Sequence, residues 1–283
     1  MIMKFINYKI STLVLALVIF TNIYSEEEKP VPAFYNEILK FSIDVKGISV
    51  GSILMRTVKT GNEFLQINTR VDTFDSLKGI YYISGNFGAM WNYKTQKSYM
   101  AYEDIYDGYM YMRRAYRFQS DNRVFVNKRE VKFVESGLPH DQPPEKDATD
   151  EYYIDGNEYQ DLIGIFYTLR SSGIHPKTGE TYTLKVLPAG VKKHMIIQVI
   201  GKDILDVPAL GGKVKVIHVK SGLANPNQKP SGGNIFFNVK SEVDIFFTDD
   251  ENSIPVLISA NVPLIKRVVV VLTDYQQTNK AKK

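Results

Sequence analysis

One stretch limits what this chain can fold into more than any other. Asp161 to Gly173 reads Asp-Leu-Ile-Gly-Ile-Phe-Tyr-Thr-Leu-Arg-Ser-Ser-Gly and carries both a start and a stop for a helix. The Asp161 carboxylate can accept hydrogen bonds from amides left free in the first turn, where an anion also suits the helix dipole. Arg170 and Gly173 supply the matching stop. Leu162, Ile165, Phe166 and Leu169 recur at three- and four-residue spacing, while Ile163 and Tyr167 make the opposite face apolar too. A helix that is apolar all round has to be covered on nearly every side. Almost everything around it reads as strand. The expected fold class is therefore mainly β: a curved antiparallel sheet, a half-barrel or open barrel, wrapped around one central helix at Asp161–Gly173.

The first residues give an address. Lys4 and Lys9 precede the uncharged run Ser11 to Phe20, and Ile23-Tyr24-Ser25 ends in a small residue before Glu26-Glu27-Glu28. This pattern predicts a secretory signal peptide over residues 1–25, cleaved near Ser25. The competing reading, a retained anchor, would have an apolar core of about ten residues, short for a bilayer. The expected location is the periplasm. With no cysteine in the chain, lipid attachment at a cysteine, cysteine catalysis and thiolate metal sites are all excluded. Removing Met1 to Ser25 from 283 residues leaves 258, enough for one large all-β domain or two small ones. One domain is preferred, because half a sheet cannot house a helix that is apolar all round. The same removal leaves 33 basic against 31 acidic side chains, which gives no footprint for nucleic acid.

Along the chain, residues 26–36 form an acidic, proline-broken leader, and a β-rich domain is expected over 37–275. Phe41, Ile43 and Val45 alternate before Gly47-Ile48-Ser49-Val50-Gly51, and Ser52 to Thr60 resumes the alternation, so this is a hairpin or a glycine-kinked pair. Glu63 to Val71 follows as a strand. Thr73 to Tyr82 places Phe74, Leu77, Ile80 and Tyr81 at helical spacing around Gly79, which suggests one or two helical turns at the mouth of the sheet. From Gly85 to Val126 four aromatic-rich runs, separated by Thr95-Gln96, Asp107-Gly108 and Asp121-Asn122, read as an antiparallel meander. Residues 137–150 carry three prolines and much charge and are expected to be a mobile loop, with a second loop at 223–234. Strands resume between Glu180 and Thr273, and 276–283 is expected to be a disordered tail.

Several of these blocks resemble a bacterial exported family, domain of unknown function 3108. Phe41 to Ser52 is similar to its opening strand, glycine corner and second strand; Ser76 to Tyr82, Trp91 and Tyr111 to Phe118 resemble its next blocks. Asp161-Leu162 through Phe166 to Arg170 resembles its single-helix block, and Thr248 to Val256 its penultimate turn and strand. The resemblance implies export to a bacterial envelope and a curved antiparallel sheet, and it brings no catalytic residue with it. A looser likeness of shape links such sheets to half-barrels that carry lipids or lipoproteins across the periplasm; fold alone does not fix function.

Motifs that could carry chemistry have plainer readings. Gly47-Ile48-Ser49-Val50-Gly51 matches the written pattern of a nucleophile elbow, but that elbow needs a helix after the serine, and alternation follows Gly51 instead. His140, His175, His194 and His218 lack the spacing of a zinc pair. Asp249-Asp250-Glu251 is short for a calcium loop and reads as a hairpin turn. Most informative is an aromatic belt of Phe87, Trp91, Tyr93, Tyr99, Tyr102, Tyr106, Tyr109, Tyr111, Tyr116 and Phe118. Such rings suit a pocket lining or rim as well as ordinary strand packing. Beside them, alternation puts Arg113 and Arg117 on one face and Arg114 on the other, where they could meet an anionic head or guard a strand edge.

The expected function is non-enzymatic: binding of an apolar or lipidic ligand, or a lipidated envelope component, in the concave sheet. Leu77, Ile80, Tyr81, Trp91 and Phe166 are the expected lining, with no cofactor and no metal. The alternative is an envelope interaction protein whose helix fills the groove. A third reading, a hydrolase using Ser49, lacks a converging base.

Overall fold

The computed structural model describes residues 31–74, 82–107, 110–133, 144–156, 158–171, 178–226, 242–262 and 266–278. Eight strands come first: β1 (Glu37–Val45), β2 (Ile48–Thr60), β3 (Phe64–Thr73), β4 (Ser84–Asn92), β5 (Lys97–Tyr106), β6 (Met110–Phe118), β7 (Arg123–Phe133) and β8 (Pro144–Asp155). The helix α1 (Leu162–Ser171) follows, and then β9 (Thr181–Val186), β10 (Lys193–Val207), β11 (Gly212–Ala224), β12 (Val243–Thr248), β13 (Pro255–Val262) and β14 (Lys266–Gln277). All fourteen strands lie in one sheet in the order β8-β7-β6-β5-β4-β3-β2-β1-β14-β13-β12-β11-β10-β9. Each neighbouring pair is antiparallel, so two meanders meet where the first strand pairs with the last, Leu39 opposite Tyr275 and Ile43 opposite Val270.

This topology explains how a helix reaches the middle. The outermost strands, β8 and β9, are consecutive in sequence, and α1 lies in the connection between them. The sheet is not closed into a barrel. At one end of the seam the chain before α1 lies on the free edge of β9, where Gln160 forms a parallel bridge with Val186 and its carbonyl accepts from the Leu187 amide at 2.8 Å. Strand periodicity sets which side chains meet α1. Leu65 and Ile67, Ala89 and Trp91, Ala101 and Glu103, and Tyr116 and Phe118 are buried, while Gln66, Tyr102 and Arg117 between them are exposed.

The glycine corner is a tight hairpin: Lys46 and Gly47, with φ of 52° and 81°, turn β1 into β2 as a two-residue connection that needs positive φ at both places. Ser49 is exposed in β2 opposite Asp44, and a strand continues from it, so the elbow pattern is structural.

Other expectations need correction. Pro144 to Asp150, expected within a mobile loop, form the first half of β8, paired with β7 from Lys128 to Phe133. That strand is exposed on both faces and charged along its length, so no alternation marks it; charges of this kind guard a sheet edge against further pairing. Leu223 and Ala224, expected to open a loop, close β11, and Gln276 and Gln277, expected in a tail, pair with Ile38 and Glu37. The leader also contributes to the core, because Phe34 is buried. The helical turns expected at Thr73 to Tyr82 fall mostly on residues 75–81, outside the described residues, as do residues 137–143 and 227–234 of the two expected loops.

Candidate functional site

The side chains of α1 meet strands from both meanders. Ile163, Gly164, Ile165, Phe166, Tyr167, Leu169 and Arg170 are buried, and none of its residues is exposed. The two described members of the expected lining come together against this helix. Trp91 is 0% exposed, and its indole N–H donates to Thr168 Oγ1 at 3.2 Å; Phe166 is 8% exposed and its ring lies 5.8 Å from that of Phe247 on β12. Phe34 completes the packing, 6.2 Å from the Trp91 ring and 5.3 Å from Tyr167. Leu77, Ile80 and Tyr81 lie outside the described residues.

Two buried ion pairs bracket the helix, and neither was legible as such in the sequence. At its C-terminal end Arg170, expected only as a stop signal, forks onto Glu37 of β1, with Nη2 to Oε2 at 3.0 Å and Nη1 on Oε1. Its remaining donors reach the Ser253 and Asn252 carbonyls, both at 3.1 Å, and its guanidinium lies 4.6 Å from the centre of the Phe34 ring. Burial lowers the Arg170 pKa, but the charge and hydrogen bonds of Glu37, with Tyr167 and Tyr275, together outweigh it and the net shift is upward, so it stays charged. An arginine among rings and carbonyls is tolerable only because every part of the fork has a partner.

At the N-terminal end the packing is less complete. Asp161 caps the helix as expected, Oδ1 accepting from the Gly164 amide at 2.8 Å, but the residue is buried and burial raises its carboxyl pKa. Oδ2 and the Ser98 hydroxyl lie together against Gly164, and that hydroxyl opposes the effect of burial. A methyl group at Gly164 would collide with that hydroxyl and carboxylate, which is why a glycine stands inside the helix. Beyond them Arg114 Nη1 donates to Glu103 at 2.9 Å and the Tyr116 phenol lies against the same carboxylate, while Arg114 Nε completes no hydrogen bond. Burial pushes Glu103 up, with Arg114 opposing it, and pushes the Tyr116 phenol up as well. The alternation of the three arginines holds: Arg114 points inward, and Arg113 and Arg117 are exposed.

The other candidate chemistries resolve into structure. Asp250 Oδ1 accepts from Thr248 Oγ1 and from the Asn252 and Ser253 amides, which builds the β12–β13 turn. His194 stacks on Tyr159, and His218 lies on Phe246 with its Nε2 2.8 Å from Asp244. His140 and His175 lie outside the described residues. Among the described residues no group of three His, Asp or Glu could hold a metal ion. On β12 to β14 a shallow cleft of about 370 Å³ is lined by Asp244, Ser259, Ala260, Asn261 and Arg267, a polar surface unsuited to an acyl chain.

The aromatic belt divides between the two faces. Trp91, Tyr93, Tyr106, Tyr116 and Phe118 are buried, whereas Tyr99 and Tyr102 are exposed; Tyr109 lies outside the described residues. Alternation alone would put Tyr99 and Tyr102 on opposite faces; both are exposed because the β4–β5 register shifts beside Tyr99.

Comparison with known proteins agrees with this architecture. The sequence model described as "Protein of unknown function (DUF3108)" matches residues 40–269. No curated protein matches the sequence significantly. Among solved structures, a beta-barrel-like protein of domain of unknown function DUF1849 from Brucella abortus superposes with a TM-score of 0.54 at 11% identity, covering 84% of this chain and 95% of that one. A protein with a YmcC-like fold from Bacteroides fragilis gives a TM-score of 0.35 at 8% identity, covering 87% and 98%.

Proposed function

From the premise that this chain belongs to the DUF3108 family, we propose that it is an exported, non-enzymatic protein of the cell envelope that binds a partner through its surface, its interior being filled by its own helix. The observation that carries the reading is the packing of α1. Trp91 and Phe166, the two described positions at which an acyl chain would be met, spend their surfaces on protein. A lipid beside them would have to displace a helix tied at its C-terminal end by Arg170. Ser49, the one serine in an elbow-like pattern, is exposed in a strand away from this interior. Export rests on the charged, apolar and small-residue pattern of the first 25 residues, and the periplasm is the compartment it favours.

The test is organic extraction of the purified mature protein followed by mass spectrometry. The filled interior predicts no lipid in stoichiometric amount. One lipid per chain would contradict it and would support a carrier of lipid or of a lipidated component, with Leu77, Ile80 and Tyr81 joining the lining. A hydrolase activity lost on Ser49→Ala would overturn the non-enzymatic reading.

A further inference from the structure

Past the end of β9 the hairpin of β10 and β11 leaves a strand edge that no other described strand covers. β9 pairs with β10 from Lys193 to Gln198, and the chain just before β9 reaches Val199, whose N–H donates to the Glu180 carbonyl and whose carbonyl accepts from the Gly179 amide, both at 2.9 Å. From Gly201 to Val207, among the described residues, β10 pairs with β11 alone. The far side of the hairpin shows which way its backbone groups point. Lys215 turns its carbonyl toward β12, where it accepts from the Asp249 amide at 2.9 Å, so its cross-strand partner Ile204 turns its own N–H and C=O the opposite way, to the open edge. Lys202 and Asp206, two residues to either side, do the same. At that edge the Ile204 amide is met by its sequence neighbour, Asp203 Oδ1 at 2.7 Å, and the Ile204 side chain is 60% exposed.

An open edge is a template for another strand, and its charges decide which strand fits. Lys202, Ile204 and Asp206 share one face of β10, opposite Ile217, Lys215 and Lys213 of β11. Antiparallel pairing with an identical edge, about a twofold axis at Ile204, sets Ile204 against Ile204 and Lys202 against Asp206 of the second copy, and symmetry repeats the ion pair. Asp203 then faces Leu205. Neighbouring registers are poorer: an axis at Asp203 sets two like carboxylates against each other, and an axis at Leu205 forms no opposite-charge pair. Charges already on the hairpin extend the match. Asp249 holds Lys202 at 2.7 Å and Lys213 stands across from Asp206, so the joined edges read Lys213, Asp206, then Lys202 and Asp249 of the second copy, alternating in sign. Asp206 makes no ion pair among the described residues, and it is the group that gains a partner.

We infer that two copies of this chain join edge to edge through Gly201–Val207 of β10, with Lys202 of each on Asp206 of the other. The outward groups of Lys202, Ile204 and Asp206 exchange about six backbone hydrogen bonds across the axis, and the Ile204 amide passes from Asp203 to the carbonyl of Ile204 of the second copy. Such a contact buries less than about 1,000 Å², the size of a weak and reversible association. The inference rests on the reading of the chain as one that binds through its surface, and it names a second copy as a partner.

Sedimentation velocity of the purified mature chain tests it. A dimer is expected to appear as the concentration rises from about 10 µM to about 1 mM. Asp206→Lys and Lys202→Asp each set like charges against each other twice and are expected to weaken the dimer about tenfold. An equal mixture of the two variants puts a lysine opposite an aspartate at both places, and should associate as well as the parent. Unaltered thermal unfolding would show that both variants fold. A parent chain that stays monomeric throughout would overturn the inference, as would a dimer indifferent to both variants, or a mixture that associates no better than its components. Lipid released by solvent extraction from a chain that still dimerises would refute the filled interior alone; a monomer from which no lipid is extracted would refute the β10 contact alone.

Discussion

The two ends of α1 hold buried arginine–glutamate pairs of different quality. At the C-terminal end Arg170 engages Glu37, two carbonyl oxygens and an aromatic face, and no atom of its fork is left without a partner. At the N-terminal end Arg114 engages Glu103, but its own Nε completes no bond, and burial raises the carboxyl pKa values of both Glu103 and Asp161. Buried polar groups stabilise a fold when all of them are satisfied and weaken it when they are not. The contrast makes the C-terminal end the anchor of the helix and the N-terminal end the place where stability has been left unclaimed.

The largest expected effect breaks the anchor. Arg170→Met strands Glu37 and two carbonyls in the core and should lower stability by about 3–5 kcal/mol in urea unfolding. Arg114→Met should cost less, about 1–3 kcal/mol, because Glu103 already leans toward its protonated form and can take up a proton when its partner leaves. Equal losses at the two sites would remove the contrast.

Next in size is Gly164→Ala, which forces a methyl group against Ser98 and Asp161. A loss of about 1–3 kcal/mol is expected. Gly164→Ala combined with Ser98→Gly should recover part of it, since the first obstacle is the Ser98 hydroxyl.

The smallest effect is one of pH. Asp161 and Glu103 have carboxyl pKa values raised in the folded state, chiefly by burial. Above the ordinary carboxylate range the folded chain therefore binds more protons than the unfolded one, and stability falls as pH rises toward the raised values. The exposed Asp121, Asp147 and Asp274 have lowered pKa values, so their opposite contribution is lost only as pH falls below the ordinary range. Asp161→Asn keeps an oxygen for the Gly164 amide and removes the ionisation. The variant should gain less stability than the parent between about pH 7.5 and about pH 5, and an unchanged slope would reject Asp161 as a source of it.

How much of this was legible in the sequence depends on whether the signal was local. The helix was, because Asp161 and the apolar spacing are contained within one element, and its observed range Leu162–Ser171 lies inside the expected one. Most strands were, through alternation, and so was the placing of Arg114 on the opposite face from Arg113 and Arg117, though not which of the two faces is inward. Arg170 was read for its effect on the helix end, since nothing near it in sequence announces Glu37, which stands 133 residues away. Phe34 hid in a leader that looked too polar and proline-broken to pack. β8 was missed for the opposite reason: with no buried face its residues alternate in nothing, and only the hydrogen-bond ladder to β7 makes it a strand.

Amide hydrogen exchange of residues 162–171 tests the central claim most directly. A helix that fills the interior should exchange only when the whole sheet unfolds, with an opening free energy equal to the global stability from denaturant. Exchange of those amides well below that energy, while β1 and β14 stay protected, would mean that the helix leaves its place in the native sheet and that the interior can be vacated for a ligand.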